Sequence, residues 1–216
     1  SCIDAPPASC ADANFTSTWR LSRSADGGAT FNTVYEGRHG TSPPALETDS
    51  HGNIYLAHAN YFQGEQNSYV MRFLASDKFR NPTSTTLTGA WGAKFAMEID
   101  EVRGQLYFFS NANKFFSVSL SDLAILAEYQ LTRDGTNANM HYPNLYLDDN
   151  GHLYLAWTTA SLTYNTDNRP PYRSIHFIHS LDGGATWTKP NGQRLAPPII
   201  ADDTGPTDEI TPADEH

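Results

Sequence analysis

The chain has 216 residues and a formal net charge of −10 at pH 7, with 18% of its residues charged and 12% aromatic. The acidic balance argues against general nucleic-acid binding, because the phosphate backbone attracts basic proteins. No apolar run is long enough to span a membrane as a helix. Low charge together with many aromatic and β-branched residues is typical of an all-β extracellular protein.

The chain begins with a predicted N-terminal loop over residues 1–14, which contains both cysteines of the sequence, Cys2 and Cys10. We expect a disulfide between them in an oxidising compartment, with two free thiols as the alternative. The pair lacks the C-x-x-C spacing of redox and zinc sites. The protein is therefore expected to be secreted, in an extracellular or periplasmic location.

Two copies of one octet lie far apart in the rest of the chain. Ser24–Phe31 and Ser180–Trp187 both read S-x-D-G-G-A-T-aromatic, and they start 156 residues apart, which is three times 52. The octet predicts a hairpin turn, because Ser and Asp side chains bond to nearby amides, paired glycines allow positive φ angles, and the aromatic residue re-enters a core. The spacing predicts an internal repeat.

A second signal recurs between the octets with a similar period. Asp49–Ala57, Asp100–Phe108 and Asp148–Ala156 each contain a polar turn followed by an alternating apolar strand, which indicates a β-hairpin. Their glycines are 52 and 47 residues apart, and degenerate octets occur at Ser76-Asp77 and Ser121-Asp122. Each repeat therefore reads as four strands, with the recurrent turn after the first strand and an octet-type turn after the third.

This order predicts an all-β fold, a β-propeller of four-stranded antiparallel blades with negligible helix, over residues 15–216. Complete blades are predicted at 44–87, 88–132 and 141–194, and partial blades at 15–37 and 195–216. Either the two ends join into a fourth blade, or the chain is a fragment of a six- or seven-bladed propeller whose partner is the remainder of that propeller. The last twenty residues lack strand alternation, which favours the fragment.

The octets resemble the Asp box, or BNR repeat, of sialidase-like β-propellers. Two further stretches, the His-Tyr-Pro start at His141 with the Asp148 turn after it, and Tyr172–Pro198, are similar to the BNR-repeat group that contains ulvan lyases. The resemblance implies a carbohydrate-active propeller in which His and Tyr remove a proton beside a uronate, while a basic residue neutralises the uronate carboxylate.

Strand order in a propeller fixes which loops share a face. The recurrent turns and the octet turns lie on one face, so we predict a structural role for Ser24, Asp26, Gly28, Ser180, Asp182, Gly184 and Trp187. The loops of the opposite face are 38–43, 58–68, 86–93, 111–114, 133–142 and 158–173. Their formal charges sum to +2, which leaves −12 for the rest of the chain. A mildly positive face suits an acidic polysaccharide.

These loops contain the candidate site residues. Histidine and tyrosine can transfer protons, which gives the candidate catalytic residues His141, Tyr164 and Tyr172. Arginine holds a carboxylate in a bidentate fork and rings contact sugars, which gives the substrate-binding candidates Arg169, Arg173, His58, Tyr61 and Tyr142. The structural alternatives are packing of Tyr172 on Pro170-Pro171, burial of Tyr142 in a core, a capping role for His141, and replacement of Trp157 of the sister blade by His58.

The first functional hypothesis is a lyase-like β-elimination on an acidic polysaccharide, with a glycan as partner and no nucleic acid, membrane or catalytic cofactor. The alternatives are a non-catalytic glycan-binding propeller and a sialidase-like glycoside hydrolase, although the sequence lacks the R-I-P tripeptide of sialidases. Asp148, Asp149 and Asn150 could offer oxygen ligands to a structural Ca²⁺, but a hairpin turn explains them without an ion.

Overall fold

A computed structural model describes residues 18–38, 44–59, 66–92, 94–162 and 172–211. Within these ranges the chain forms eighteen β-strands, a single 3-10 turn at Ala75–Asp77 and no α-helix. The predicted all-β fold is confirmed. The described part of the chain contains no helix with the length and apolar character of a membrane span. The predicted Cys2–Cys10 disulfide lies outside the described residues.

A hairpin and a four-stranded sheet form the first part of the fold. Strands β1 (Thr18–Arg23) and β2 (Asn32–Arg38) pair antiparallel. The first sheet contains, in both chain and spatial order, β3 (Ala45–Thr48), β4 (Ile54–Ala59), β5 (Asn67–Phe73) and β6 (Thr83–Thr88). The sequence predicts the first complete blade over the same region, at 44–87.

The second sheet repeats this antiparallel order within the predicted blade 88–132. Its strands are β7 (Phe95–Asp100), β8 (Gln105–Ser110), β9 (Lys114–Ser119) and β10 (Ile125–Gln130). Five consecutive residues of β8 and four of β9 are buried, so both faces of each strand are covered. Both faces of this sheet are covered because it lies between the first and third sheets.

The third sheet has a composite outer edge. Its strands are β12 (Ala138–Leu147), β13 (Leu153–Ser161), β14 (Tyr172–Ser180), β15 (Trp187–Thr188) and β16 (Arg194–Leu195). Because β15 has only two residues, it pairs with β14 at His179 alone, and β18 (Asp208–Thr211) pairs with the rest of that edge. The region 195–216, which the sequence assigns to a further partial blade, thus adds a strand to the third sheet. Short strands β11 (Thr132–Arg133) and β17 (Ile199–Ile200) pair in parallel.

The three sheets are arranged as successive blades of a propeller. Strand β7 contacts both β3 and β12, so the first strand of each sheet lies innermost. Apolar cores fill the spaces between blades: Tyr55 and Val70 pack with Phe116 between the first and second sheets, and Phe115 packs with Trp157 between the second and third. The sheets formed by the described residues do not close into a ring, as expected for part of a propeller.

The two octets form the same turn. In Ser24–Phe31 and Ser180–Trp187, the serine hydroxyl accepts the amide of the second glycine at 2.7 and 2.8 Å, and the aspartate accepts the threonine amide at 2.9 and 2.8 Å. All four glycines have positive φ angles. Only the second octet turns its aromatic residue into a core, since Trp187 is 1% exposed whereas Phe31 is 66% exposed. The hydrogen bonds of the turn are therefore local, while the burial of its aromatic residue depends on a neighbouring blade.

The recurrent turns are also built on a buried or half-buried aspartate. The hydroxyls of Tyr55, Tyr107 and Tyr154 donate to the aspartates of their own turns at 3.4, 3.2 and 3.1 Å. In the third blade the Asp148 carboxylate also accepts the amides of Asn150 and His152. These donors satisfy the oxygens of the turn aspartate. The described residues contain no group of three or more His, Cys, Asp or Glu that could hold a metal.

Candidate functional site

Four side chains meet where the inner strands of the second and third sheets begin. Lys94 directly precedes β7, His141 and Tyr142 lie on β12, and Tyr172 is the first residue of β14. They come together because β7 and β12 are adjacent inner strands. We refer to these four residues as the polar cluster. It lies on the face opposite the octet turns, where the sequence predicts the site.

A β-bulge in β12 presents Tyr142. Its pairing with β13 is interrupted between His141 and Asn144, and Pro143, which has no amide to donate, lies in the gap. Tyr142 has a φ of 47° and is 50% exposed. Non-glycine residues rarely adopt this conformation, which costs on the order of 1–3 kcal/mol and occurs often at functional sites. The bulge therefore holds this tyrosine in a conformation that an ordinary strand would not give it.

Lys94 contacts both residues of the bulge. Its Nζ lies 3.0 Å from Nδ1 of His141 and 3.6 Å from the centroid of the Tyr142 ring. An ammonium group has no acceptor, so it donates to Nδ1, and the neutral imidazole carries its proton on Nε2. The contact with the ring is a cation–π interaction. Lys94 thus fixes the tautomer of His141 and brings a positive charge to Tyr142.

The two tyrosines of the cluster are joined by a hydrogen bond. The Tyr172 hydroxyl donates to the Tyr142 hydroxyl at 3.0 Å, and the two ring centroids are 5.3 Å apart at an angle of 64°. The His141 ring lies 5.9 Å from the Tyr142 ring and 6.2 Å from the Tyr172 ring. Tyr172 is 39% exposed, so a ligand can reach both tyrosines from solvent.

The electrostatics of the cluster lower the pKa values of both Tyr142 and His141. The hydrogen bond from Tyr172 lowers the pKa of Tyr142, and the positive charge of Lys94 lowers it further. Burial lowers the pKa of His141, Lys94 adds to this effect, and the negative charge of Asp134 opposes it. The cluster therefore places a phenol that ionises more readily than usual beside an imidazole that takes up a proton less readily than usual.

A series of buried side-chain hydrogen bonds holds the first residues of β14 in place next to the polar cluster. The Ser174 hydroxyl lies 2.9 Å from the Thr159 hydroxyl and 2.7 Å from Nε2 of His176, and Nδ1 of His176 lies 2.8 Å from the Thr207 hydroxyl. All four residues are buried, and burial lowers the pKa of His176. Since Ser174 is two residues from Tyr172, these bonds hold the strand that carries Tyr172 against β13 and against the segment leading to β18.

The structure brings together three of the residues that the sequence singled out, namely His141, Tyr142 and Tyr172. Arg173 points to the opposite side of the sheet from Tyr172, because side chains alternate along β14. The remaining candidates Tyr164, Arg169 and Tyr61 lie outside the described residues.

His58 is separate from the cluster and is part of an aromatic stack in the first blade. Its ring is 5.5 Å from the Trp19 ring and 5.2 Å from the Tyr69 ring, which lies opposite it on β5. In the third blade the corresponding pair is Trp157 and His176, whose rings are 5.7 Å apart and nearly parallel. This geometry matches the structural alternative, in which His58 takes the place of Trp157.

Lys94 is the member of the cluster that the sequence analysis did not single out. It lies one residue beyond the predicted 86–93 loop. A comparison of the repeats could have found it, because Lys94 is six residues before Asp100 and His141 is seven residues before Asp148. The extra residue is accounted for by the bulge at Tyr142, so the two positions are equivalent in adjacent blades.

The opposite face contains a cleft of about 690 Å³ between the first and second sheets. Several of the polar groups that line it are bonded to the adjacent blade. Glu101 accepts the amide and hydroxyl of Ser50, and Arg72 donates to the carbonyls of Leu120 and Ser121. These contacts join the turns of adjacent blades, which makes this surface an inter-blade connection.

No protein-family model matches the sequence, and no curated protein matches it. Among solved structures, the chain is similar to a glycoside hydrolase family 43 arabinoxylan arabinofuranohydrolase from Bacillus subtilis, solved with cellotetraose, at 13% identity and a TM-score of 0.42, covering 78% of this chain and 38% of that one. It is also similar to a fucose lectin from Kordia zhangzhouensis, solved with methyl-fucoside, at 13% identity and a TM-score of 0.36, covering 68% of this chain and 96% of the lectin. The chain thus spans about two fifths of the hydrolase, and likeness at this level assigns no function to it.

Proposed function

We propose that this chain is part of a secreted, carbohydrate-active propeller of the Asp-box type whose polar cluster cleaves an acidic polysaccharide by β-elimination. The observation that carries the proposal is the position of the Lys94 ammonium, 3.0 Å from His141 and 3.6 Å from the centre of the Tyr142 ring. Elimination beside a uronate requires a base for the C5 proton and a positive charge for the carboxylate. The polar cluster contains candidate proton acceptors and a positive charge in direct contact with each other.

Tyr142 is the proposed base. Its oxygen accepts the hydrogen bond from Tyr172, and its pKa is lowered by that bond and by Lys94. When the phenolate takes the C5 proton, the C5–H electron pair forms the C4–C5 double bond and the C4–O bond breaks. The leaving oxygen takes the proton that Tyr142 has accepted, which regenerates the phenolate, and Nε2–H of the neutral His141 donates a hydrogen bond to that oxygen. Lys94 balances the charge that develops on the carboxylate.

We propose that two residues outside the described ranges also act in the site. Arg169 and Tyr164 belong to the 158–173 loop and are proposed to bind a second carboxylate and to assist proton transfer. The exposed faces of Tyr142 and Tyr172 are proposed to contact the sugar rings. Binding by these residues without cleavage would make the protein a glycan-binding propeller.

The proposal is tested by incubating the protein with uronate-containing polysaccharides and following the ultraviolet absorbance of unsaturated ends. We expect the Lys94→Met variant to lose at least about 100-fold in rate, because it removes the charge that stabilises the carboxylate intermediate. Lys114→Met is the matched control, since Lys114 lies on the same face but pairs with Glu128 at 2.6 Å. A wild-type protein that retains the polymer without producing absorbance would support the glycan-binding function.

Glycoside hydrolysis is the second candidate, and one observation favours it. Glu47 and Glu98 lie on the adjacent inner strands β3 and β7, and burial together with the charge of Glu47 raises the pKa of Glu98 to about 7. A protonated carboxylic acid near a second carboxylate is the arrangement that hydrolases use. Under this function the products would be saturated reducing ends, lost in Glu98→Gln and kept in Tyr142→Phe.

A further inference from the structure

One face of the third sheet is not covered by any described sheet. We call it the open face and define it by Tyr146, Tyr154, Phe177 and His179. The Tyr154 ring lies 6.0 Å from each of the other three rings, and its plane is within 21–36° of theirs. Tyr146 is 58% exposed, and the other three are half-buried. The result is an aromatic surface on the side of the blade away from the second sheet.

The same positions are buried in the other two blades. Tyr154 corresponds to Tyr55 and Tyr107, which follow the equivalent turns. Phe177 pairs across the sheet with the residue two places after Tyr154. Val70 and Phe115 occupy the corresponding positions, because they pair with the residues two places after Tyr55 and Tyr107. These four residues are at most 2% exposed because the next blade covers them. The open face thus continues an interface that the molecule already forms twice.

The interface between the second and third blades shows what such a face binds. Phe115 and Tyr107 lie against the glycine pair of the second octet. A methyl group on Gly184 would be 2.5 Å from Cζ of Phe115, and one on Gly183 would be 2.7 Å from the Tyr107 hydroxyl. The octet's aromatic residue then packs edge-on against Phe115, with ring centroids 5.6 Å apart. A phenyl ring at this position therefore requires a glycine at the second glycine position of the facing turn.

The first octet also forms a Gly-Gly turn, but no described aromatic residue packs against its glycines. A methyl group on Gly27 or Gly28 would meet no described atom within 4 Å, and Phe31 is 66% exposed. Its internal hydrogen bonds are the same as those of the second octet. The described fold thus has two unpaired features at its opposite ends. The open face of the third sheet has no described Gly-Gly turn packed on it, and the first octet has no described aromatic face packed on its glycines.

We propose that the open face binds the first octet turn of a second copy of this chain, so that the copies associate head to tail. Phe177 then takes the place that Phe115 has in the established interface, and Phe31 becomes buried as Trp187 is. The contact is heterologous, and such contacts form a ring if the rotation closes and a filament if it does not. Two copies supply six blade sheets, four of them four-stranded and two six-stranded, together with two hairpins. This number is within the range of about 4–8 blades in closed propellers.

The test measures the mass of the full chain by light scattering over a wide range of concentrations. We expect the mass to rise from 23.9 kDa, the mass of one chain, to twice that value. Phe177→Glu places a charge on the open face, and Gly28→Ala adds a methyl group where the facing ring would lie. Each variant alone should remain at the mass of one chain. Leu181→Glu is the matched control, because Leu181 is exposed on the third blade's own turn and should leave association unchanged.

Mixing the two variants separates head-to-tail association from loss of folding. The Phe177→Glu protein keeps an intact octet turn, and the Gly28→Ala protein keeps an intact open face, so an equimolar mixture should recover the doubled mass. A wild-type chain that keeps the mass of one copy at every concentration would overturn the proposal. So would variants that associate like wild type, or a mixture that does not recover. If Phe177→Glu instead weakens retention on a polysaccharide column without changing the mass, the open face binds glycan.

Discussion

The most informative stability experiment concerns Glu98 on β7. Burial raises the pKa of this carboxyl to about 7, and the charge of Glu47 on the neighbouring strand adds to that effect. Burial also raises the pKa of Glu47 itself. Replacing Glu98 with Gln keeps the shape of the side chain and removes its charge, so the substitution isolates the electrostatic cost of this residue.

The magnitude follows from the difference between the folded and unfolded pKa values of Glu98. A change from 4.5 to about 7 corresponds to about 3.5 kcal/mol at about 1.4 kcal/mol per pH unit. Because Glu98 is only half-buried, solvent screening reduces the expected effect to about 1–2 kcal/mol. Below pH 4.5 the carboxyl is protonated in both states and the cost is absent. As the pH rises to about 7, the unfolded chain ionises first, so the folded state loses stability by this amount.

We therefore expect Glu98→Gln to raise the melting temperature by about 2–8 °C at pH 8 and to leave it unchanged at pH 4, each relative to wild type. Thermal unfolding followed by circular dichroism at both pH values measures this. Glu128→Gln is the control, since Glu128 is exposed and paired with Lys114, and it should give no gain. An equal gain at both pH values, or no gain at pH 8, would refute the electrostatic reasoning.

Three further predictions concern the turns and the cluster. Asp182→Ala should lower the free energy of unfolding by roughly 1–2 kcal/mol, by analogy with capping losses, with glycan affinity unchanged on titration. Gly184→Ala should destabilise the chain by roughly 1–3 kcal/mol more than Gly192→Ala in urea unfolding, since both glycines have positive φ but only Gly184 faces a ring at 2.5 Å. Lys94→Met should raise the pKa of His141, measured by NMR titration, because the ammonium helps to lower it; an unchanged titration would mean that burial alone sets that value.

Much of the fold could be predicted from the sequence because its signals are local. The octet and the Asp148 turn are completed by hydrogen bonds within a few residues, so a short motif is enough to identify them. Pairing across the sheet is different. Strand β18 has no alternating pattern, and its place beside β14 depends on the edge that the short β15 leaves uncovered.

The site could be predicted only in part, because its contacts cross between blades. His141, Tyr142 and Tyr172 were accessible as polar or aromatic residues at predicted strand starts. The contact of Lys94 with His141 depends on the adjacency of two inner strands, which no local motif encodes. Arg173 illustrates the opposite case, since a shift of one position on a strand sends a side chain to the other face.

The most direct test of the account is the rate at which unsaturated uronate ends form in the presence of wild-type, Tyr142→Phe and Tyr146→Phe proteins. Tyr142 is the proposed base, whereas Tyr146 is a similarly exposed tyrosine on the same strand outside the polar cluster. We expect absorbance from wild type and Tyr146→Phe at similar rates, and a loss of at least about 100-fold in Tyr142→Phe. Equal rates in all three proteins, or no unsaturated product from wild type on any acidic polysaccharide, would contradict the proposed mechanism.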